Sequence, residues 1–277
     1  TLTGLTDGVT YTVTVTATNA AGTGAASGSA TVITYPAAVM TSGATELWLD
    51  AASSSALFTD TGCTTAATAG NSVACWKDRS TNGNNLTQST ASMKPTATSS
   101  GGRLLPVADG NDDMSSSTLT GIPSGTAAST TFIVGSVSAS SGSNSWPFFS
   151  GSGGTGARRD YTYSGGTGAV SVDVNGGGAT ISDGTWTVNA TRIMDSQFNS
   201  GTYDLVRDGR PRVSAAYAFN TSGTTSGYIF ALWQGPLKEV LVLSTAPTTA
   251  QRRQIDEYLA RKWSVAITPA APGTLVA

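Results

Sequence analysis

Residues 237–263 spell LKEVLVLSTAPTTAQRRQIDEYLARKW, a strand-like run followed by the one helix signal in the chain. The helix signal opens with a capping box at 248–251, in which a Thr side chain and the Gln three residues later close a helix start. After it, Ile255, Leu259 and Trp263 recur every four residues, the spacing of one helix face. The pattern predicts a helix over residues 249–262 that docks on the rest of the molecule through these three side chains.

Charged residues support the same helix. Three pairs of opposite charge stand four residues apart, a spacing that brings side chains together on a helix surface. We expect these pairs on the faces that the apolar side chains leave free. They are Arg252/Asp256, Arg253/Glu257 and Glu257/Arg261.

From Glu46 onward, short strand-like runs alternate with turns rich in Gly, Ser, Asn and Thr. No helical pattern lies between them. Many short strands without intervening helices predict an all-β sandwich or jelly roll. The runs are ELWLDA, RLLPVA, TFIVGSVSA, WPFFSG, AVSVDV, TYDLVRDG, GYIFALW and LKEVLVLS.

The first 35 residues have a pattern of their own. Residues 9–19, VTYTVTVTATN, alternate apolar and Thr side chains, which predicts a half-buried antiparallel strand. SATVIT at 29–34 predicts a second short strand, and Tyr35-Pro36 opens a linker. Since Val9, Tyr11, Val13 and Val15 form an apolar face, we expect further strands from a longer chain or from another subunit to cover it.

Composition excludes several classes of function. The chain has 277 residues, a net charge of −2 and only 12% charged residues, so no basic surface for nucleic acid or membrane is expected. It has no histidine, the usual general base of serine and cysteine hydrolases and the commonest transition-metal ligand. No run approaches the roughly 20 apolar residues of a membrane span.

The part of the chain from Glu46 onward resembles the concanavalin A-like, laminin-G-like sandwich modules of bacterial surface proteins and phage virion proteins. The matching segments are LWLDA (47–51), WKDRSTNGNN (76–85), DGNDDMS (109–115), VRDGR (206–210) and the closing strand and helix at 237–263. The resemblance implies a jelly-roll sandwich with one C-terminal helix over residues 45–265.

The ends of the chain resemble fibronectin type III domains. Leu5 and Tyr11 stand where that family places its tyrosine corner, and 19–24 match its last hairpin. Residues 1–35 are thus expected to be the C-terminal part of such a domain, and 36–44 a linker. Residues 266–277 are expected to be a linker and the first strand of a further one.

Cys63 and Cys75 are the only cysteines and flank a polar loop. They predict a disulfide, which would contribute roughly 3 kcal/mol in the chain-entropy model, and hence an extracellular location. The alternative is a pair of free thiols in a reducing compartment.

Glycosidases also occur among concanavalin A-like folds, and the resemblance implies a Glu-x-Asp-x-x-Glu strand for them. That strand is absent, and the only glutamates are Glu46, Glu239 and Glu257. Nothing in the spacing of the aspartates weighed as a catalytic pair favours one; they are Asp109, Asp112, Asp113, Asp160, Asp173 and Asp183. The sequence therefore predicts that the chain is not an enzyme.

Two ligand sites are candidates. Asp109, Asn111 and Asp112 offer oxygen ligands for calcium, the one cofactor considered, although Asp and Asn more often cap turns. Trp146, Tyr161 and Tyr163 could stack on a sugar, although alternate aromatics on neighbouring strands are also core residues. Such a ligand would be a neutral or weakly acidic glycan.

The function predicted from these observations is a non-catalytic binding or adhesion module on a cell or virion surface. Its partner would be a surface glycan or a neighbouring protein subunit, with no nucleic acid and no membrane insertion. One alternative is a purely structural component that self-assembles through incomplete terminal strands. A second is a glycosidase or lyase on the same fold.

Overall fold

The computed structural model describes residues 5, 10–37, 39–40, 43–137, 144–150, 158–164, 169–174, 181–185, 187–216 and 226–267. Four short strands belong to the N-terminal segment: β1 (Thr10–Val13), β2 (Thr18–Asn19), β3 (Gly22–Thr23) and β4 (Ala30–Ile33). The strands that follow are β5 (Thr45–Asp50), β6 (Leu57–Phe58), β7 (Cys75–Trp76), β8 (Leu86–Thr87), β9 (Thr96–Ser100), β10 (Arg103–Asp109), β11 (Met114–Ser116), β12 (Ser129–Gly135), β13 (Asn144–Ser150), β14 (Arg158–Ser164), β15 (Ala169–Val174), β16 (Ile181–Thr185), β17 (Arg192–Asn199), β18 (Thr202–Arg207), β19 (Arg210–Ala216), β20 (Gly227–Ala231) and β21 (Gln234–Leu243). A 3₁₀ turn spans Ala91–Met93, and the helix α1 spans Thr249–Trp263.

Two large antiparallel sheets form the sandwich. The first sheet has the order β19-β18-β17-β12-β21-β10-β9, with β5 also paired to β21. The second sheet has the order β16-β15-β14-β13-β20-β11-β8-β7-β6. Side chains from both sheets share one apolar core, in which Phe132 and Val240 of the first join Trp76, Phe148 and Ile229 of the second. The predicted all-β sandwich with one C-terminal helix is confirmed.

The first sheet is covered on both faces. All seven residues of β12 are buried, whereas a strand with one solvated face would alternate buried and exposed positions. The second sheet covers one face, and α1 covers the other. The helix therefore forms a third layer of the molecule.

The helix forms as its sequence predicts. The Thr248 side chain accepts from the Gln251 backbone N–H, and the Gln251 side chain accepts from the Thr248 N–H, completing the capping box. Ile255, Leu259 and Trp263 are all buried. The predicted docking face is confirmed.

One predicted ion pair is wrong. Arg253 and Arg261 both bind Glu257, at 3.0 and 3.4 Å, but Arg252 is bonded to Asp195 on the sheet instead of to Asp256. Both Arg252 and Asp256 are buried, because the side of α1 that faces the sheet is wider than the i,i+4 apolar stripe.

The N-terminal segment is less regular than predicted. Strand β1 pairs with β4, from Thr10↔Ile33 to Val13↔Ala30, but it ends at Val13, and Val15 is 67% exposed. The fibronectin type III assignment of residues 1–35 stays a prediction. Residues 268–277 lie outside the described part of the chain.

Cys63 and Cys75 are bonded, with their Cα atoms 5.5 Å apart, so the predicted disulfide is confirmed. Within the described residues, no helix has the length and apolar composition needed to cross a membrane.

Candidate active site

A cavity of about 350 Å³ lies between α1 and the edge of the first sheet formed by β17, β18 and β19. Six charged residues line it: Asp195, Asp204, Arg212, Arg252, Arg253 and Asp256. We call this group the carboxyl pocket. Val206, Pro211 and Val213 supply apolar wall.

Strand geometry places two of the acids under the helix. Asp195 and Gln197 stand two residues apart on β17, so both side chains point to the same face. Asp204 of β18 lies directly opposite Gln197 in the sheet register and shares that face. The alternate residues Met194 and Phe198 belong to the sandwich core.

Arg252 of α1 contacts these side chains from the helix that packs on the sheet. Its Nε donates to Asp195 Oδ2 at 2.8 Å, and its Nη1 donates to Gln197 Oε1 at 3.4 Å and lies 3.8 Å from Asp204 Oδ2. Gln197 is fixed in turn, because its Nε2 donates to the Pro247 carbonyl at 2.9 Å. One guanidinium thus holds Asp195 and Asp204 beside each other.

Two of the acids have raised pKa values. Burial raises the pKa of Asp195 to about 6, because desolvation outweighs the lowering by Arg252, and Asp204 raises it further. Burial and the nearby Asp195 raise the pKa of Asp256 well above its ordinary value, against the lowering effect of Arg252 and Arg253. Neighbouring carboxyl groups with perturbed pKa values are a pattern of acid–base active sites.

The pocket also has unused hydrogen-bonding capacity. Asp256 is 2% exposed, yet among the described residues its Oδ1 has no hydrogen-bond partner. Arg252 Nη2 is likewise buried without a partner in that part of the chain. Such groups are costly inside a protein, and a polar ligand in the cavity would satisfy them.

Asp204 differs from its neighbours in its access to solvent. Its side chain is 35% exposed, whereas the Asp195 side chain is 1% exposed. The pocket therefore combines buried carboxyl groups of raised pKa with one carboxyl group that is open to solvent. This is the arrangement needed for general acid and base or nucleophile in one site.

A second buried charge cluster has no such capacity. Lys262 Nζ binds Asp50 at 2.7 Å and Glu239 at 2.8 Å, and the Glu239 carboxylate also accepts from the indole N–H groups of Trp48 and Trp263. Since these partners are all within the protein, the cluster fixes α1 to β5 and β21.

The calcium candidates form a turn at the end of β10. Asp109 Oδ1 accepts from the Asn111 N–H, and Asp112 Oδ2 accepts from the Asp109 N–H, each at 2.9 Å. No group of three or more Cys, Asp or Glu side chains in the described ranges is arranged to hold a metal ion. Calcium binding here stays a prediction.

The aromatic candidates lie on neighbouring strands of the second sheet. Trp146 is in β13, and Tyr161 and Tyr163 are in β14, with Tyr163 opposite Ser145. Their side chains lie outside the described part of the structure. Sugar binding by these three residues stays a prediction.

Sequence reasoning missed the carboxyl pocket entirely. None of the aspartates that the sequence offers as a catalytic pair lines this pocket. The i,i+4 spacing also predicts a surface ion pair of Asp256 with Arg252. One signal was present: Asp195 interrupts the otherwise buried strand RIMDSQFN, where a charged side chain needs a special partner.

A comparison with known proteins shows that the fold of this chain is similar to that of several solved structures. No family model and no curated protein matches the chain. Among solved structures, a GH54 α-L-arabinofuranosidase soaked with a cyclic sulfate inhibitor is similar, with a TM-score of 0.53 and 14% identity over 68% of this chain and 50% of that one. Trypanosoma rangeli sialidase is similar with a TM-score of 0.51 and 10% identity, over 81% of this chain and 34% of that one. This chain thus spans only half, or a third, of the structures that it matches.

These findings correct two predictions. The sequence predicted a non-catalytic binding or adhesion module that is not an enzyme. The arabinofuranosidase and the sialidase that share the fold are glycosidases, and a further similar structure is an arabinofuranosidase complexed with arabinofuranosyl-alpha-1,2-xylobiose. Both predictions are wrong, because the carboxyl groups that they weighed, the absent Glu-x-Asp-x-x-Glu strand and six aspartates, do not include Asp195, Asp204 or Asp256 of the carboxyl pocket.

Proposed function

We propose that this chain is a glycosidase that cleaves its substrate in the carboxyl pocket. The observation that carries the proposal is the pairing of buried carboxyls of raised pKa with the exposed Asp204 around one guanidinium. The fold shared with arabinofuranosidase and sialidase structures supports the same class of reaction.

Each acid has a role that follows from its surroundings. Asp256, held protonated, gives its proton to the glycosidic oxygen as the bond to the anomeric carbon breaks. Asp204 either takes a proton from the attacking water, with inversion, or attacks the anomeric carbon itself, with retention. In the second case water, giving its proton to Asp256, then displaces the sugar from Asp204. Asp195 is a positioning residue, because it acts through Arg252.

The two acids with roles in this reaction, Asp204 and Asp256, both line the carboxyl pocket. Arg252 holds Asp204 in place, with its Nη1 3.8 Å from Asp204 Oδ2. Asp256 is one helical turn from Arg252 and lines the same cavity.

We place the enzyme outside the cell or on a cell or virion surface, as a laminin-G-like sandwich that follows the end of a fibronectin type III domain. The disulfide supports an oxidising environment, and the closing strand and helix support the sandwich family.

The test is hydrolysis of a panel of plant, bacterial and animal glycans by the wild type, D204N and D256N. Asp256→Asn should lower kcat by roughly 10²- to 10⁴-fold, the usual contribution of a general acid. The loss should be smaller on 4-nitrophenyl glycosides, because that leaving group needs little protonation. Product stereochemistry read by NMR then decides between the two roles of Asp204.

The matched control is Asp113→Asn. Burial also raises the pKa of Asp113, but this residue hydrogen-bonds Gln88 and does not line the carboxyl pocket. D113N should keep full activity. Equal activity of D256N, D204N and wild type on every cleaved glycan would refute the proposal.

A further inference from the structure

The carboxyl pocket contains two buried polar atoms that the protein itself leaves without a hydrogen bond. They are Arg252 Nη2 and Asp256 Oδ1, and within the described part of the chain neither has a partner. Arg252 is 7% exposed and Asp256 is 2% exposed, and both line the cavity of about 350 Å³. Buried polar groups in native proteins nearly always have a partner, so two unpartnered groups at one cavity point to a ligand.

The guanidinium of Arg252 is fixed by its other hydrogen bonds. Its Nε donates to Asp195 Oδ2 at 2.8 Å, and its Nη1 donates to Gln197 Oε1 at 3.4 Å. Gln197 is held in turn, because its Nε2 donates to Thr130 Oγ1 at 3.2 Å and to the Pro247 carbonyl at 2.9 Å. Since the guanidinium is planar, these contacts also fix the position of Nη2. The donor is thus in place before a ligand binds.

Arg252 keeps its proton, and its charge is already shared. Burial lowers the pKa of Arg252, but Asp195, Asp204 and Asp256 together outweigh burial and raise it above its ordinary value. Asp195 lies 2.8 Å and Asp204 lies 3.8 Å from nitrogens of the guanidinium. An anion in the cavity would face these two acids at close range, and contacts between like charges weaken binding. The pocket therefore favours a neutral ligand.

Hydroxyl groups are the neutral partners that fit both atoms. A hydroxyl accepts a hydrogen bond through its lone pairs and donates one through its proton. It can thus accept from Arg252 Nη2 or donate to Asp256 Oδ1, while the other Asp256 oxygen holds the proton for the proposed general-acid step. The two residues are one helical turn apart, so hydroxyls of one small molecule reach both.

The rest of the cavity suits a sugar. Its volume of about 350 Å³ is in the range of small-molecule sites. Val206, Pro211 and Val213 supply an apolar wall, against which the C–H face of a sugar ring can pack. The pocket thus offers apolar wall on one part and hydrogen-bonding groups on another, as the faces of a sugar require.

We infer that the substrate of the proposed active site is a neutral sugar, whose hydroxyl groups bind Arg252 Nη2 and Asp256 Oδ1. The inference rests on the proposed glycosidase function and names its substrate class. It makes Arg252 a substrate-binding residue, in addition to its contacts with Asp195 and Asp204.

The experiment measures binding to the wild type by NMR titration, which also shows whether a probe is cleaved. The neutral probes are the methyl glycosides of arabinose, xylose, glucose, galactose and mannose, and the anionic probe is methyl galacturonide. At least one neutral probe should bind, and the galacturonide should bind less tightly than the best of them. Tightest binding of the galacturonide, or no binding of any neutral probe, would contradict the inference.

Arg252→Lys separates substrate binding from the ion pair. Lysine keeps a positive charge beside Asp195 but has no second nitrogen to donate to a ligand. R252K should bind the best neutral probe at least about tenfold more weakly, the loss expected for one hydrogen bond to a charged group. Equal affinity of R252K and wild type would overturn the inference.

The matched control is Arg103→Lys. Arg103 contacts the Lys262 carbonyl and the Trp263 ring and does not line the carboxyl pocket. R103K should therefore bind the best neutral probe as tightly as the wild type does. A loss in R103K equal to that in R252K would show that the effect of R252K is not specific to the pocket, and the inference would fail.

Monodeoxy analogues of the best neutral probe identify the hydroxyl group, and they also serve if circular dichroism shows that R252K does not fold. One analogue should bind the wild type at least about tenfold more weakly than the parent sugar, because Arg252 Nη2 is then left without a partner. The same analogue should bind R252K and wild type equally, since both changes remove the same interaction. If every analogue binds the wild type as tightly as the parent sugar, the inference is wrong.

Hydrolysis separates this inference from the proposed function. If the wild type cleaves a glycan but R252K binds the methyl glycoside of its sugar as tightly as the wild type does, the glycosidase proposal stands and the inference is wrong. If sugar binding depends on Arg252 but no glycan is cleaved, the proposed function fails, and the carboxyl pocket is a sugar-binding site.

Discussion

Asp195 occupies an environment that a carboxylate alone would not tolerate. It lies buried under a helix, and Arg252, to which it is ion-paired, is shared with Asp204. A buried ion pair of this kind is weak evidence for stability, since desolvation offsets much of the attraction. Its position at a cavity, together with its perturbed pKa, favours a functional reason for the cluster.

The raised pKa of Asp195 has a consequence for stability. In the unfolded chain this acid titrates near 3.8, and in the folded chain near 6, so between these values the native state holds a proton that the unfolded state has lost. The unfolding free energy contributed by Asp195 is therefore present below about pH 4 and is lost as pH rises to about 6. Urea unfolding of wild type and D195N at intervals from pH 4 to 7 should show D195N gaining stability relative to wild type across this window.

Asp60 provides a control of opposite sign. Its pKa is lowered, chiefly by the backbone N–H of Thr65. Its contribution to the unfolding free energy is therefore present at higher pH and is lost on acidification. Compared with the wild type, D60N should thus become less stable as the pH rises from acidic values. A D195N difference that does not change with pH would contradict the pKa assignment.

The helix α1 is held by charge at its C-terminal end as well as by apolar packing. Lys262 is buried between Asp50 and Glu239, with Tyr258 accepting a further hydrogen bond from Nζ at 2.9 Å. Both carboxylates belong to strands of the first sheet. The end of the helix is thus fixed in register with β5 and β21.

Lys262→Met should be strongly destabilising. It keeps the aliphatic length but leaves two buried carboxylates without their shared cation, which typically costs about 3–5 kcal/mol of unfolding free energy. Denaturant unfolding measures the loss, and Lys77→Met at an exposed position is the control. A loss within about 0.5 kcal/mol, the norm for surface substitutions, would show that the cluster does not hold the helix.

At the scale of the whole molecule, local sequence patterns predicted the helix and the strands, but not which of their faces pack against each other. The capping box and the spacing of Ile255, Leu259 and Trp263 describe the helix correctly, because both depend on neighbours along the chain. The burial of Arg252 depends on β17, which is more than 50 residues away in sequence. No periodicity within α1 records that contact, and the active-site candidate was missed for this reason.

The disulfide and the carboxyl pocket lie at separate places in this architecture. Cys75 lies in β7, near the end of the second sheet, and Cys63 lies in the preceding loop, which is closed over a separation of 12 residues. The carboxyl pocket lies at the β19 edge of the first sheet, under α1. Loss of the disulfide should therefore lower the free energy of unfolding without changing the rate of the proposed reaction in the carboxyl pocket.

The variant C63S/C75S tests this separation. In the chain-entropy model a loop of this length contributes roughly 3 kcal/mol, so the urea midpoint should fall by the corresponding amount. Reduction of the wild type by dithiothreitol should lower its midpoint to that of the variant, and should leave the variant unchanged. Below the midpoint, C63S/C75S should keep the wild-type kcat on any glycan that the wild type cleaves. A loss of kcat in the still-folded variant would instead mean that the loop and the carboxyl pocket are coupled through the core, since the first and second sheets share one apolar cluster.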